Sequence, residues 1–336
     1  MKAYGRGGVI MPGTGRWKAL LQLIPAAAFL LLALNPHPAS EAALSAVTLC
    51  LRTVIPALFP FLVLTRLLLG ASMPGAVLRI PGMLFERLFH IRAAAFPAFL
   101  LGLLGGYPLG AEAAAAAFRR GDCSAEEASR LLVFANNCGP GFLFGASAAI
   151  LPRGRSDALL LLCLQWAVSL WLGMLLGIGR RASASSGAAA AEASLPAAGL
   201  FTASVLAGGR AVLIICAYVV FFSTLSAFLP PIPLLKGCFE MTGGLLALKG
   251  GDPILPAAFL IGWGGLAVAS QVLSAISDTE IPAGKYIPLR FLHGCCMLLA
   301  AWSVRRGSFW LLLPPVLAAA VAFIVKRCRK AAISAV

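Results

Sequence analysis

Long apolar runs, separated by charged or helix-breaking residues, divide the chain into predicted membrane helices. A bilayer is crossed by roughly 20 apolar residues in an α-helix. Runs of about that length lie at 19–34, 44–69, 158–178, 200–229, 287–304 and 309–325. Two shorter segments, 78–91 and 234–248, predict helices at the membrane surface, because the first mixes apolar and charged side chains. With the interrupted runs described next, the pattern predicts an all-α polytopic membrane protein of about eight transmembrane helices.

Two further apolar runs, 93–118 and 254–276, are interrupted by glycines. Gly106 and Tyr107 precede a proline in the first run, and Gly265 ends a double glycine in the second. Backbone freed from helical hydrogen bonds at membrane depth is tolerated only where protein or a wet cavity satisfies it. We therefore predict two broken or re-entrant hairpins that form a solute site. A kinked structural helix is the alternative reading of the first break.

A third break follows Asn136 and Asn137, which stand before Cys-Gly-Pro-Gly in an otherwise apolar stretch. Two amides in such a stretch are costly unless they bind a partner. They offer donors and acceptors to a carboxylate or to a nucleobase edge, and an interhelical hydrogen bond is the alternative.

The order of elements before and after an Ala- and Ser-rich linker predicts an internal repeat at an offset of about 158 residues. Arg52 and Arg210 each precede a hydroxyl residue by thirteen positions, and the double glycines begin at Gly105 and Gly264. In that register Glu112 corresponds to Gln271. We predict five segments: 1–40, a basic start and first helix; 41–181, the first half; 182–199, the linker; 200–305, the second half; and 306–336, a last helix and basic tail.

The orientation of the two halves depends on how many runs cross. If the first broken run is re-entrant and the second spans the membrane, both termini face the cytoplasm. The positive-inside rule favours this arrangement, because both termini are basic. If both runs are re-entrant, as symmetry prefers, the basic C-terminus ends outside. We favour an inverted repeat.

Composition supports the membrane assignment and excludes several classes of protein. Apolar residues make up 60% of the chain and charged residues 12%, with a mean hydropathy of +0.92. The net charge of +15 suits anionic lipid headgroups. Without basic stripes that carry aromatics, we expect no nucleic acid partner. Nine scattered cysteines and three distant histidines predict neither a metal site nor a cofactor. No nucleophile with a matching base and no phosphate-binding loop emerge, so we expect neither an enzyme nor an ATP-driven pump.

Two charged residues are the sharpest candidates for contact with a solute. Glu112 follows a helix break and precedes alanines, where it would bind solute, carry a coupling proton or ligate sodium. Arg290 is either a forked donor for a carboxylate or a positive residue at the membrane surface. We expect a small anionic solute, membrane lipids and a coupling ion, proton or sodium, as partners; the sequence also allows an oligomer.

Several short motifs carry a family resemblance over roughly 40–305. They are Gly106 to Ala111, Asn136 to Pro140 with Phe144 and Gly145, Phe239 and Glu240 before Thr242 to Gly244, Gly262 to Leu266 with Gln271, and Arg290 ahead of Gly294. With them the chain resembles the sporulation integral membrane protein YlbJ family, a relative of nucleoside-recognition (Gate-domain) proteins and remotely of concentrative nucleoside transporters. Near Ala269 and Ser270 the chain departs from the family pattern, in which a polar or aromatic residue is expected at one position.

This resemblance implies a protein made during sporulation, placed in the cell membrane or a forespore membrane and linked to movement of dipicolinic acid. A nucleoside-type carrier and a non-transporting scaffold are the alternatives. It also implies that hairpin tips bind the solute. The resulting candidate site consists of Gly106, Tyr107, Glu112, Asn136, Asn137, Gly265, Gln271 and Arg290.

Overall fold

The structure is a computed structural model that describes residues 15–70, 75–145, 150–183, 197–248 and 252–308. Every regular element within those ranges is helical, which confirms the all-α prediction. The helices are α1 Gly15–Leu34, α2 Pro36–Leu49, α3 Ile55–Gly70, α4 Gly75–Phe89, α5 Phe96–Gly105, α6 Leu109–Arg119, α7 Ala125–Ala135, α8 Pro140–Gly145, α9 Arg155–Gly177, α10 Ala197–Ser226, α11 Pro233–Phe239, α12 Met241–Leu246, α13 Ile254–Trp263, α14 Gly265–Ala275 and α15 Tyr286–Arg305.

Five helical segments in the described ranges are long and apolar enough to cross a membrane. They are Pro36–Leu68, Arg155–Gly177, Gly199–Ser226, Ile254–Ala275 and Tyr286–Arg305. A sixth candidate is the pair Leu78–Phe89 and Ala93–Gly105, which is bent by 110°. The predicted span at 309–325 and most of the predicted linker lie outside the described residues. The predicted total of eight therefore stays a prediction, although a polytopic membrane protein is confirmed.

Helices α5 and α6 fold back on each other, and so do α11 and α12. A Cβ built on Gly102 of α5 would lie 2.9 Å from Cα of Gly110 in α6. A Cβ built on Gly244 of α12 would lie 2.1 Å from Cα of Gly237 in α11. Because only glycine lets two helix backbones approach this closely, each pair is a tight hairpin. We call them the first hairpin (α5–α6) and the second hairpin (α11–α12).

The two halves share one order of elements after this assignment. Each half has a long helix (α3 or α10), a hairpin, a helix broken in its middle (α7–α8 or α13–α14) and an unbroken helix (α9 or α15). We call α7–α8 the first broken helix and α13–α14 the second broken helix.

The repeat register inferred from the double glycines differs from this order. It matched Gly105 with Gly264, but Gly105 lies at the end of α5 in a hairpin, whereas Gly264 interrupts a 22-residue candidate span. The second hairpin is instead the segment that was predicted to lie at the membrane surface. A double glycine occurs at a hairpin tip in the first half and at a helix break in the second, so these glycines do not align equivalent elements of the two halves.

The two hairpins open toward opposite ends of the helix bundle. Arg119, at the end of the first hairpin, pairs with Asp278 beyond α14 at 2.6 Å. Arg305, at the end of α15, pairs with Asp252 before α13 at 2.5 Å. The second broken helix runs between those two aspartates, and Leu246 at the end of the second hairpin precedes Asp252 closely in the chain. The arrangement agrees with an inverted repeat.

Candidate functional site

A small cavity lies where both hairpin tips and both broken helices meet. Its volume, measured as the space open to the centre of a water molecule, is about 30 Å³. The polar lining consists of Tyr107, Cys138, Glu240, Thr242 and Gln271, and apolar walls come from α3, α8, α10 and α14. Such a space holds one or two water molecules. We call it the central cavity.

Glycines allow the breaks to pack directly on one another. Gly106 has φ of +79°, and a Cβ on it would lie 2.5 Å from the backbone nitrogen of Gly139 in the first broken helix. Gly265 also has φ of +79°, and its Cβ would lie 3.0 Å from the carbonyl oxygen of Gly237 in the second hairpin. Both predicted site glycines therefore hold a hairpin against a broken helix.

Arg290 is completely buried on α15, which excludes the surface alternative. Its Nη2 donates to the Tyr107 hydroxyl at 2.9 Å and its Nη1 to the Val133 carbonyl at 3.2 Å. Nε has no partner, and among the described residues no carboxylate forms an ion pair with this guanidinium. A buried charge without an opposite charge is costly. The arginine thus leaves a positive charge behind the cavity wall.

Tyr107 stands between this arginine and the central cavity. The guanidinium carbon lies 5.6 Å from the centroid of the Tyr107 ring. The Tyr107 hydroxyl also donates to the Ile261 carbonyl at 2.7 Å, which links the first hairpin to the second broken helix. Tyr107 therefore lines the cavity, and Arg290 contacts Tyr107 on the side away from the cavity.

The two asparagines at the first broken helix serve different contacts. Asn137 donates to the Phe134 carbonyl at 2.8 Å and accepts from the Ser169 hydroxyl at 2.8 Å. The Ser169 hydroxyl is 2.9 Å from Nε2 of His293, so this series of hydrogen bonds connects the end of α7 to α9 and α15. Asn137 thus fits the interhelical alternative.

Asn136 is completely buried and donates to the Tyr286 hydroxyl at 3.0 Å. Its side-chain oxygen has no partner. This oxygen and Nε of Arg290 are therefore two buried polar atoms without a hydrogen-bond partner.

Glu112 and Gln271 lie in different environments. Gln271 is buried on α14 and lines the central cavity. Glu112 is partly exposed on α6 and forms an ion pair with Arg66 of α3. The structure therefore brings Gln271 to the cavity and places Glu112 outside its lining.

Glu240 is a cavity residue that the sequence reasoning left out of the candidate site. It is 3% exposed, and its two carboxylate oxygens accept the backbone N–H groups of Thr242 and Gly243 at 2.7 and 2.6 Å. The signal was present, since an acid precedes Thr-Gly-Gly in a largely apolar segment. The sequence did not single it out, because the pattern of that segment predicts a helix at the membrane surface.

Comparison with known proteins gives one informative relative. The sporulation integral membrane protein YlbJ of Bacillus subtilis (strain 168) is 26% identical in an alignment of 314 positions that covers 77% of this chain and 76% of the relative. The predicted resemblance to that family is thereby confirmed, and so is the assignment as an integral membrane protein. No family model matches the chain. No solved structure matches it either, and a resemblance to nucleoside transporters is not shown.

Proposed function

We propose, from the similarity of this chain to the sporulation integral membrane protein YlbJ, that it is a sporulation-associated secondary transporter or facilitator of a small anionic solute. The solute that the family resemblance implies is dipicolinic acid, a pyridine dicarboxylate, moving across a forespore membrane. The observation that carries the proposal is Arg290, a buried guanidinium without a carboxylate partner among the described residues, behind Tyr107 at the central cavity.

A carboxylate ligand would complete the contacts of this arginine. A guanidinium binds a carboxylate with two parallel hydrogen bonds, and such charge-assisted bonds are stronger than those to neutral acceptors. Arg290 now uses a hydroxyl and a backbone carbonyl, both neutral, and leaves Nε without an acceptor. Rotation of Tyr107 would open a direct path from the cavity to the guanidinium.

The present conformation supports a closed state of such a carrier. A cavity of about 30 Å³ is far too small for a pyridine ring with two carboxylates. The solute would enter when a hairpin tip withdraws, and the two hairpins open toward opposite ends of the bundle. Inverted repeats that move against each other in this way give access from alternate sides.

Two alternatives remain from the sequence. A nucleoside-type carrier would use amides and hydroxyls, and Gln271 and Thr242 supply both in the cavity. A non-transporting scaffold for spore maturation needs no solute path, so a small cavity is compatible with it as well as with a closed carrier.

Solute flux into proteoliposomes separates these functions. The full chain would be purified, reconstituted and tested with labelled dipicolinate and labelled nucleoside, with empty vesicles as the reference. We expect dipicolinate to enter faster than it enters empty vesicles, and unlabelled dipicolinate but not nucleoside to compete. Nucleoside flux alone would support the alternative carrier, and folded protein without flux of either solute would support the scaffold.

A further inference from the structure

The carboxylate of Glu240 lies in the cavity that the proposed function assigns to an anion. It sits at the tip of the second hairpin, between α11 and α12. Its two oxygens are fixed by backbone N–H groups of Thr242 and Gly243, and among the described ion pairs none includes Glu240. It is therefore a buried acid held in place by neutral donors alone.

The groups that line the cavity beside this carboxylate are neutral or weakly acidic. The Arg290 guanidinium lies behind Tyr107 and forms no ion pair with Glu240 among the described residues. Tyr107 of the first hairpin and Cys138 of the first broken helix line the same cavity. Cys50 approaches from the π-helical segment Cys50–Val54, which joins α2 to α3. The second broken helix contributes Gln271 and apolar residues, and α10 contributes aliphatic walls and the Ser223 hydroxyl. On its own hairpin, Cys238 adjoins α13, and Lys236 lies in an outer groove with Pro231 and Leu246.

An ionised Glu240 and an anionic solute would repel each other in this cavity. Repulsion between like charges is strong where water is excluded, and a buried acid with no cationic partner is stabilised in its protonated form. A proton on Glu240 removes the negative charge and also provides an O–H donor for a solute carboxylate.

We infer that Glu240 is the proton-binding group that couples the anionic solute to a proton, so that the two move together. The inference rests on the proposed function, because it requires an anion in the central cavity. We assign a proton as the coupling ion because a protonated Glu240, the carboxylate that lines this cavity in the described residues, is neutral and donates to the solute.

The test compares driven uptake with exchange in proteoliposomes of the full chain. With labelled dipicolinate, an inward proton gradient is expected to raise the initial uptake of the wild-type protein severalfold. A dye inside the vesicles is expected to report acidification when dipicolinate is added outside. In Glu240→Gln, whose amide still donates a hydrogen bond, exchange of labelled for unlabelled dipicolinate should remain measurable at a changed rate, whereas the response to the gradient should be lost. Glu126→Gln, a surface carboxylate paired with Arg180, is the matched control and should keep the response.

Three results would overturn the inference. One is a gradient response that survives in Glu240→Gln, and another is uptake that follows a sodium gradient instead. The third is net uptake of dipicolinate by the wild-type protein without any internal acidification; this readout needs no variant, so it decides even if Glu240→Gln does not fold. Absence of dipicolinate exchange in the wild-type protein would instead refute the proposed function, and the coupling with it.

Discussion

Replacement of Gly106 by alanine tests whether the hairpin tips and broken helices pack as the fold requires. Gly106 has φ of +79°, where a Cβ is unfavourable, and that Cβ would lie 2.5 Å from the backbone nitrogen of Gly139. Its ψ is −165°, and this backbone region is essentially restricted to glycine, so alanine costs roughly 1–3 kcal/mol there; overpacking adds about 1–3 kcal/mol. We expect Gly106→Ala to destabilise the protein by about 2–6 kcal/mol.

Gly121 provides a control whose φ is also positive. Its φ is +78°, but a Cβ there would meet no atom within 4 Å. Gly121→Ala should therefore cost only the conformational part, roughly 1–2 kcal/mol. The assay is thermal unfolding of both variants in detergent at one scan rate, since unfolding of membrane proteins is often irreversible. Equal midpoints for the two variants would refute the direct contact between the first hairpin and the first broken helix.

Two further predictions concern the buried polar chain and the topology. Ser169→Ala should destabilise the protein by about 1–3 kcal/mol, because Asn137 and His293 lose a buried partner; a midpoint like that of the exposed-site variant Ser277→Ala would contradict this. In cells, Arg181→Cys, near the open end of the first hairpin, should be protected from a membrane-impermeant thiol reagent. Arg306→Cys, at the opposite end of the bundle, should react with it, measured above the reaction of the unsubstituted chain. Reaction of both from one side would contradict an arrangement with the two ends on opposite sides.

Apolar runs and breakers were enough to predict the helical class and the position of the breaks. A charge buried in hydrocarbon is so costly that the low charged fraction alone identifies a membrane protein. Gly106 and Asn136 do lie at helix breaks. The repeat register could not be read in the same way. Whether a glycine pair starts a hairpin or interrupts a span depends on which backbone packs against it, and that contact is remote in sequence.

For the candidate site, the sequence pattern locates residues at helix breaks but does not show what they contact. Tyr107 and Gln271 line the cavity, and Arg290 stands directly behind it. Glu112 and Glu240 are both acids next to a helix break, so the sequence pattern alone does not distinguish their environments. Only the fold supplies Arg66 as a partner for Glu112, and only the fold turns Glu240 inward. Local patterns locate polar residues at breaks but not their long-range partners.

The most direct test of the central claim, that Arg290 binds the carboxylate of the solute, is dipicolinate flux through Arg290→Gln. Loss of a hydrogen bond to a charged group costs roughly 1.5–3 kcal/mol, so flux at limiting solute should fall about tenfold to a hundredfold. Arg180→Gln, at an exposed arginine paired with Glu126, is the control and should keep full flux. Correctly folded Arg290→Gln with undiminished dipicolinate flux would contradict the account.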